Sequence, residues 1–183
     1  MKTMYDDLES ILLPAEKIAE RVKQIGEKIS ADFAGNPPLI VCILKGSVVF
    51  FADLIRAIDL PIQIDFMAAT SYGSGTVSSG EVAVVKDLAI DITGKNILLV
   101  EDIIDSGRTL VYLKKLLLSR NAASVSIVTL LDKPSRRTEK LVPDYCGFTI
   151  PDAFVVGYGL DYAEKYRNMK DIGILAPRIY EKG

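Results

Sequence analysis

Apolar and polar residues follow one another along this chain in two rhythms. Between Pro14 and Phe33, Ile18, Val22, Ile25, Ile29 and Phe33 recur at spacings of three and four with charges between them, which predicts an amphipathic helix. Pro14 suits the first turn of that helix and Gly35 its stop. Leu39 to Leu44 is instead an unbroken apolar run of strand length, followed by Lys45-Gly46. Val48 to Ile58 is apolar and helix-compatible, closed by Asp59-Leu60-Pro61, and Ile62 to Ala69 reads as the next strand. Val82 to Val85, Asn96 to Val100 and Val125 to Leu131 read as further strands, with a helix from about Thr109 to Ser119. Phe154 to Gly157 and Ile172 to Leu175 are the last short strands.

Strand and helix patterns alternate through the middle. They predict an α/β fold, a parallel twisted sheet flanked by helices, with ligand loops at the strand carboxyl ends. The 183 residues suit one domain, 1–183, with no repeat or linker. From Asp144 onward the chain is turn-rich and aromatic-rich and reads as a smaller appendage outside the βαβ units. Thr70 to Gly80 is almost all Gly, Ser and Thr, which predicts a flexible loop of the kind that covers active sites.

Composition narrows the chemistry. Hydrophobic residues make up 49% and charged residues 25%, as in ordinary globular proteins. A net charge of −2 argues against a general nucleic-acid binder. The chain has no histidine, which removes Ser–His and Cys–His catalysis, a His base and His-ligated zinc together. Cys42 and Cys146 lie far apart in no metal-ligand spacing; Cys42, inside an apolar run, reads as a buried small hydrophobe. The amino terminus shows no apolar signal region, and no apolar run approaches the ~20 residues of a membrane span. The expectation is a cytoplasmic protein with reduced thiols and no membrane partner.

The chemistry concentrates at Ile97 to Leu110. Four apolar residues run into Glu101 and Asp102, then Asp105, then Ser106-Gly107-Arg108-Thr109 and a helical pattern. A buried strand delivers carboxylates to its carboxyl end, and the following loop and helix start can hold a phosphate. Acids beside a phosphate cradle suit a phosphorylated sugar whose hydroxyls, or a bound Mg²⁺, face the acids. The G-x-x-x-x-G-K-[ST] spacing of a triphosphate loop is absent.

Val100 to Thr109 resembles the phosphoribosyl-pyrophosphate motif of type I phosphoribosyltransferases. The resemblance implies the core fold of that family with a small hood, formed by the N-terminal region and residues about 144–183, and a flexible lid. It implies that Glu101 and Asp102 bind the ribose hydroxyls and that Asp105, Ser106, Gly107, Arg108 and Thr109 cradle the 5′-phosphate. Where this chain has Ser106 and Arg108, several members have Thr and Lys; the hydroxyl and the charge are kept. Leu44-Lys45-Gly46 resembles the pyrophosphate loop of hypoxanthine-guanine phosphoribosyltransferases, which carries a non-proline cis peptide, and Ser71-Tyr72-Gly73 resembles their lid. Lys133, in Leu131-Asp132-Lys133-Pro134, resembles the lysine that donates to the purine 6-oxo group. Phe154 resembles the aromatic stacked on the base, and Val155 the residue whose carbonyl meets the purine edge. Asp161 resembles a further Mg²⁺ ligand beside Glu101 and Asp102, and Arg167 a pyrophosphate contact. Asp105 is implied as the base that takes the purine N7 proton.

The implied activity is purine salvage: transfer of the phosphoribosyl group to hypoxanthine or guanine, giving IMP or GMP and pyrophosphate. The implied cofactor is Mg²⁺, the partners are these small molecules without nucleic acid, and the assembly is a homodimer or homotetramer. Two alternatives stand beside it. One is a xanthine- or guanine-preferring enzyme. The other is a regulator that senses phosphoribosyl pyrophosphate and binds nucleic acid, which the net charge and the absence of a spare domain oppose.

Overall fold

In the computed structural model, residues 3–71 and 82–181 are described. Two sheets order the chain. The larger has six strands, in the order β4 (Val82–Lys86), β3 (Gln63–Ser71), β2 (Leu39–Leu44), β5 (Asn96–Ile104), β6 (Ser124–Asp132), β7 (Tyr145–Thr149). Neighbours are parallel except the β3–β4 pair, which is antiparallel. The smaller sheet is antiparallel, β1 (Leu8–Leu13), β9 (Ile172–Leu175), β8 (Val155–Val156).

The strands of the large sheet are apolar on both faces because helices cover both. Side chains alternate across a strand, so Ile40 and Cys42 of β2 face one core and Leu39, Val41 and Ile43 the other. The first core receives α1 (Ala15–Asp32), through Ile18, Val22, Ile25 and Ile29, and α2 (Val48–Ala57), through Phe50, Phe51 and Leu54. The second receives α3 (Arg108–Ser119) through Leu110, Leu113 and Leu117. Burying such a Leu or Ile stabilises by about 1.5–3 kcal/mol each, which is why these stripes and not helix propensity fix the helices.

Three expectations need correction. Residues from Asp144 are not all appendage: β7 pairs in parallel with β6 and closes the main sheet, and Arg21 of α1 holds it by donating to the Cys146 and Gly147 carbonyls at 2.8 and 2.9 Å. The small sheet has a third member, β1, for which no strand was expected. Pro14 caps α1 from outside in extended conformation instead of lying in its first turn. Both cysteines are free, and Cys42 is buried as expected. Among the described residues, no helix is long and apolar enough to cross a membrane.

Candidate active site

The strand order places the site. From β2 the chain crosses to β3 on one side, and from β5 it crosses to β6 on the other. The loops after β2 and β5 therefore diverge and leave a crevice at the carboxyl edge, where open α/β sheets bind ligands. Lys45-Gly46 follows β2 and the acid-rich segment ends β5. The strand continues to Ile104, four residues beyond the apolar run that marks it in the sequence, so Glu101 and Asp102 lie on β5 itself.

Asp102 lines a cavity of about 560 Å³ together with Ile103, Asp105, Ser106, Lys133, Arg136, Phe154, Val155, Leu160 and Asp161. Glu101 lines an adjoining cavity of about 190 Å³ with Asp105, Ser106, Gly107, Arg108 and Thr109. Burial pushes the Glu101 carboxyl well up, and Asp102 beside it adds to the push; burial also raises Asp102. Two adjacent, partly buried carboxyls with raised pKa values suit a place that receives positive charge.

The smaller cavity is closed by the start of α3. Gly107 stands at its N-cap with φ +82°, a left-handed conformation that suits glycine and brings no capping side chain of its own. Apart from a 3.4 Å bond from the Arg108 N–H to Ser106 Oγ, the first N–H groups of this twelve-residue helix are left to an anion. A brace holds the loop from behind. The Ser106 carbonyl accepts from the Thr138 and Glu139 N–H groups at 3.1 and 3.2 Å. Arg137 donates to the carbonyls of Asp105 at 3.1 Å and Leu141 at 2.6 Å, and its guanidinium pairs with Asp132.

Lys133 follows β6, and its N–H donates to the Ile104 carbonyl at 3.0 Å, which locks it to the end of β5. Its ammonium, nearly buried, lies 3.7 Å from Asp105. Phe154, 40% exposed, faces the same cavity. Behind it Tyr180 stacks at 5.0 Å between ring centroids, and Tyr162 meets its edge at 5.6 Å.

The Lys45-Gly46 loop meets the acids directly. A Cβ on Gly46 would come 1.8 Å from Asp102 Oδ2, and a Cβ on Gly159 would come 2.0 Å from the Gly46 carbonyl. Gly46 therefore fits between β5 and the 157–167 segment with no room for a side chain. The Leu44–Lys45 bond is cis, as the resemblance implies. Arg167 donates to the Gly159 carbonyl at 2.8 Å and pairs with Asp161 at 2.8 Å, placing both beside the loop. Ser71 is the last described residue of β3; Tyr72 and the rest of the expected lid lie outside the described residues.

The structure thus gathers Glu101, Asp102, Asp105 to Thr109, Lys133, Phe154, Val155 and Asp161 around two adjoining cavities, with Lys45, Gly46 and Arg167 at their edge. Sequence reasoning missed Arg136, Arg137 and Glu164. The Arg-Arg pair after Lys133 was visible, but nothing in one dimension shows what it reaches.

The comparisons agree with this geometry. The family model described as phosphoribosyl transferase domain matches residues 9–163. The hypoxanthine-guanine phosphoribosyltransferase of Bacillus subtilis (strain 168) is 51% identical over 97% of this chain and 99% of that protein. The bifunctional protein TilS/HprT of Listeria innocua is 49% identical over 99% of this chain, which spans 28% of that longer protein. A crystal structure of a hypoxanthine phosphoribosyltransferase from Staphylococcus aureus superposes with a TM-score of 0.95 at 48% identity, covering 99% of this chain and 98% of that one. With strand order, phosphate loop and full-length relatives in accord, the chain belongs to the phosphoribosyltransferase family, in its hypoxanthine-guanine branch.

Proposed function

We propose that this chain transfers the 5-phosphoribosyl group of phosphoribosyl pyrophosphate to hypoxanthine or guanine, releasing pyrophosphate and giving IMP or GMP in purine salvage. The observation that carries this reading is one cavity, of a size that suits a small ligand, on which an acid, a lysine and an aromatic ring converge beside an uncapped helix start. The 5′-phosphate takes the N–H groups and hydroxyls of Ser106 to Thr109. Glu101 and Asp102 accept from the ribose hydroxyls. Lys45, the Gly46 backbone and Arg167 take the pyrophosphate.

As N9 of the purine attacks C1 of the ribose, the bond to pyrophosphate breaks and the N7 proton passes to Asp105. Its side chain is 57% exposed, and the lid expected over Ser71 and Tyr72 would keep water from the sugar cation. Lys133 Nζ, 3.7 Å from Asp105, donates to the 6-oxo group. Adenine presents a donor there and leaves the ammonium unpaired, so it is rejected. Phe154 stacks on the base and the Val155 carbonyl meets its edge. The small sheet of β1, β8 and β9, with the segment that joins β8 to β9, forms the hood.

Mg²⁺ fits the donor set. Burial raises the Glu101 and Asp102 carboxyls, and Asp161 lines the same cavity as Asp102. Among the described residues, no three such side chains are placed to hold a metal alone, so part of its shell would come from substrate oxygens, as is usual for this ion. When bound, it neutralises the leaving pyrophosphate. The two free cysteines fit a reducing cytoplasm. The assembly is a homodimer or homotetramer, which light scattering on the eluted protein would decide.

The test is pyrophosphate release from phosphoribosyl pyrophosphate and Mg²⁺ with hypoxanthine, guanine, xanthine and adenine in turn. Hypoxanthine and guanine should exceed adenine at least about a hundredfold in kcat/KM. Release with none of the 6-oxopurines would overturn the reading, and xanthine as best acceptor would replace it with the xanthine-preferring one.

A further inference from the structure

Lys45 and Arg167, the two cations given to pyrophosphate above, already share a carboxylate. Glu164 Oε2 lies 3.3 Å from Lys45 Nζ and 3.3 Å from Arg167 Nη2. Lys45 opens the loop after β2, whereas Glu164 and Arg167 belong to the segment before β9. One oxygen therefore spans the two sides of the crevice.

Glu164 is held there by its backbone. Its N–H donates to Asp161 Oδ2 at 2.9 Å. Tyr162 and Lys165 exchange backbone hydrogen bonds of 3.2 and 3.0 Å across the turn. Ala163 and Glu164 take φ of +51° and +61°, left-handed values that two consecutive non-glycine residues adopt only where their surroundings enforce them. Lys45 and Arg167 both donate to the Glu164 carboxylate. Its side chain is 66% exposed, which leaves it free to swing into water when a competitor arrives.

We infer that Glu164 is a built-in stand-in for a pyrophosphate oxygen: it keeps Lys45 and Arg167 gathered at anion-binding separation in the free protein and yields them to the substrate. The inference rests on the reading of those two cations as the pyrophosphate subsite. It has a consequence for turnover. Pyrophosphate must displace a tethered anion to bind, so Glu164 weakens the hold on the leaving group and assists its release.

Glu164→Gln removes the charge and keeps the shape at an exposed position, where substitutions leave the fold intact. Calorimetric titration with inorganic pyrophosphate and Mg²⁺ reads the effect directly. The variant should bind pyrophosphate about threefold to tenfold more tightly, a modest gain because exposed ion pairs are weak. Product inhibition by pyrophosphate should tighten and KM for phosphoribosyl pyrophosphate should fall by similar factors, with KM for hypoxanthine unchanged. Unchanged or weaker pyrophosphate binding in Glu164→Gln overturns the inference. Lys45→Ala and Arg167→Ala separate the two levels. If both bind pyrophosphate as the parent does, the subsite itself is wrong. If both weaken it while Glu164→Gln leaves it unchanged, only the stand-in is wrong.

Discussion

Arg137→Met should cost this protein both stability and turnover, although Arg137 lines neither cavity. Arg137 and Asp132 are 13% and 14% exposed, so their pairing is sheltered from water. The guanidinium also donates to the carbonyls of Asp105 and Leu141. Methionine fills the space and supplies none of these bonds. It leaves the Asp132 carboxylate buried without its cation, a kind of loss that costs about 3–5 kcal/mol. At 2–4 °C per kcal/mol for a chain of this size, Tm should fall by roughly 10 °C. Asp132→Asn in the same chain removes the stranded charge, so the double variant should recover about 1–3 kcal/mol over additivity. Urea unfolding of the four proteins measures the cycle. In the folded fraction, kcat should fall because the Asp105 backbone loses its brace. A destabilisation below about 1 kcal/mol, or strict additivity, would refute the view that this arginine holds the phosphate loop.

Three further outcomes follow from the site. Lys133→Ala should raise KM for the purine about tenfold or more while KM for phosphoribosyl pyrophosphate changes less than about twofold; equal loss of both would refute the purine-reading role. Asp105→Asn should lower kcat by about a hundredfold with the binding of phosphoribosyl pyrophosphate kept, and turnover like the parent's would remove it as the base. Glu101→Gln should raise Tm at pH 7 while ending transfer. Burial, and then Asp102, raise the Glu101 carboxyl above its unfolded value, so the folded state holds its proton longer than the unfolded chain does. Its contribution to stability therefore falls as pH rises from about 4.3 through the folded value, and the gain in the glutamine variant should vanish below about pH 4. Equal Tm for both proteins at pH 7 in a calorimetric scan would refute the sign.

The central elements were legible because each is buried on its own pattern. The α1 stripe, the unbroken apolar run of β2, the Val125–Leu131 strand and the acids of β5 appear in the sequence where the structure has them. β1 and β7 were not legible as strands. Only Leu13 of β1 is buried, and its pairing partner, β9, lies over 150 residues further along the chain. β7 is an edge strand with Gly147 at its centre, where a Cβ would come 2.4 Å from the Leu130 carbonyl, and only Tyr145 of its five residues is buried. The same division holds in the site. Glu101 to Thr109 are adjacent in sequence and so carry their chemistry openly. Glu164 and Arg137 act through what they meet, Lys45 in one case and the Asp105 carbonyl in the other, and such meetings exist only after folding.

Gly46, in the loop after β2, shows how the two sheets depend on one another. β2 and β5 are neighbours, so the residue that ends one must pass the carboxylates that end the other. Asp102 Oδ2 lies where a Gly46 Cβ would stand, and the Gly46 carbonyl lies where a Gly159 Cβ would stand. Alanine at Gly46 would push Asp102 off its place on β5 or lift the loop away from the 157–167 segment. Either shift separates the acids from Arg167, which reaches the site through the Gly159 carbonyl. Gly159 has φ +101° besides, so it meets a steric and a conformational demand together. The proposed reaction asks for ribose, pyrophosphate and purine contacts at fixed mutual spacing, and a displacement of about 1 Å can cost a hundredfold in rate. Two side-chain-free positions, stacked on one carboxylate, set that spacing between a loop of the large sheet and a loop of the small one.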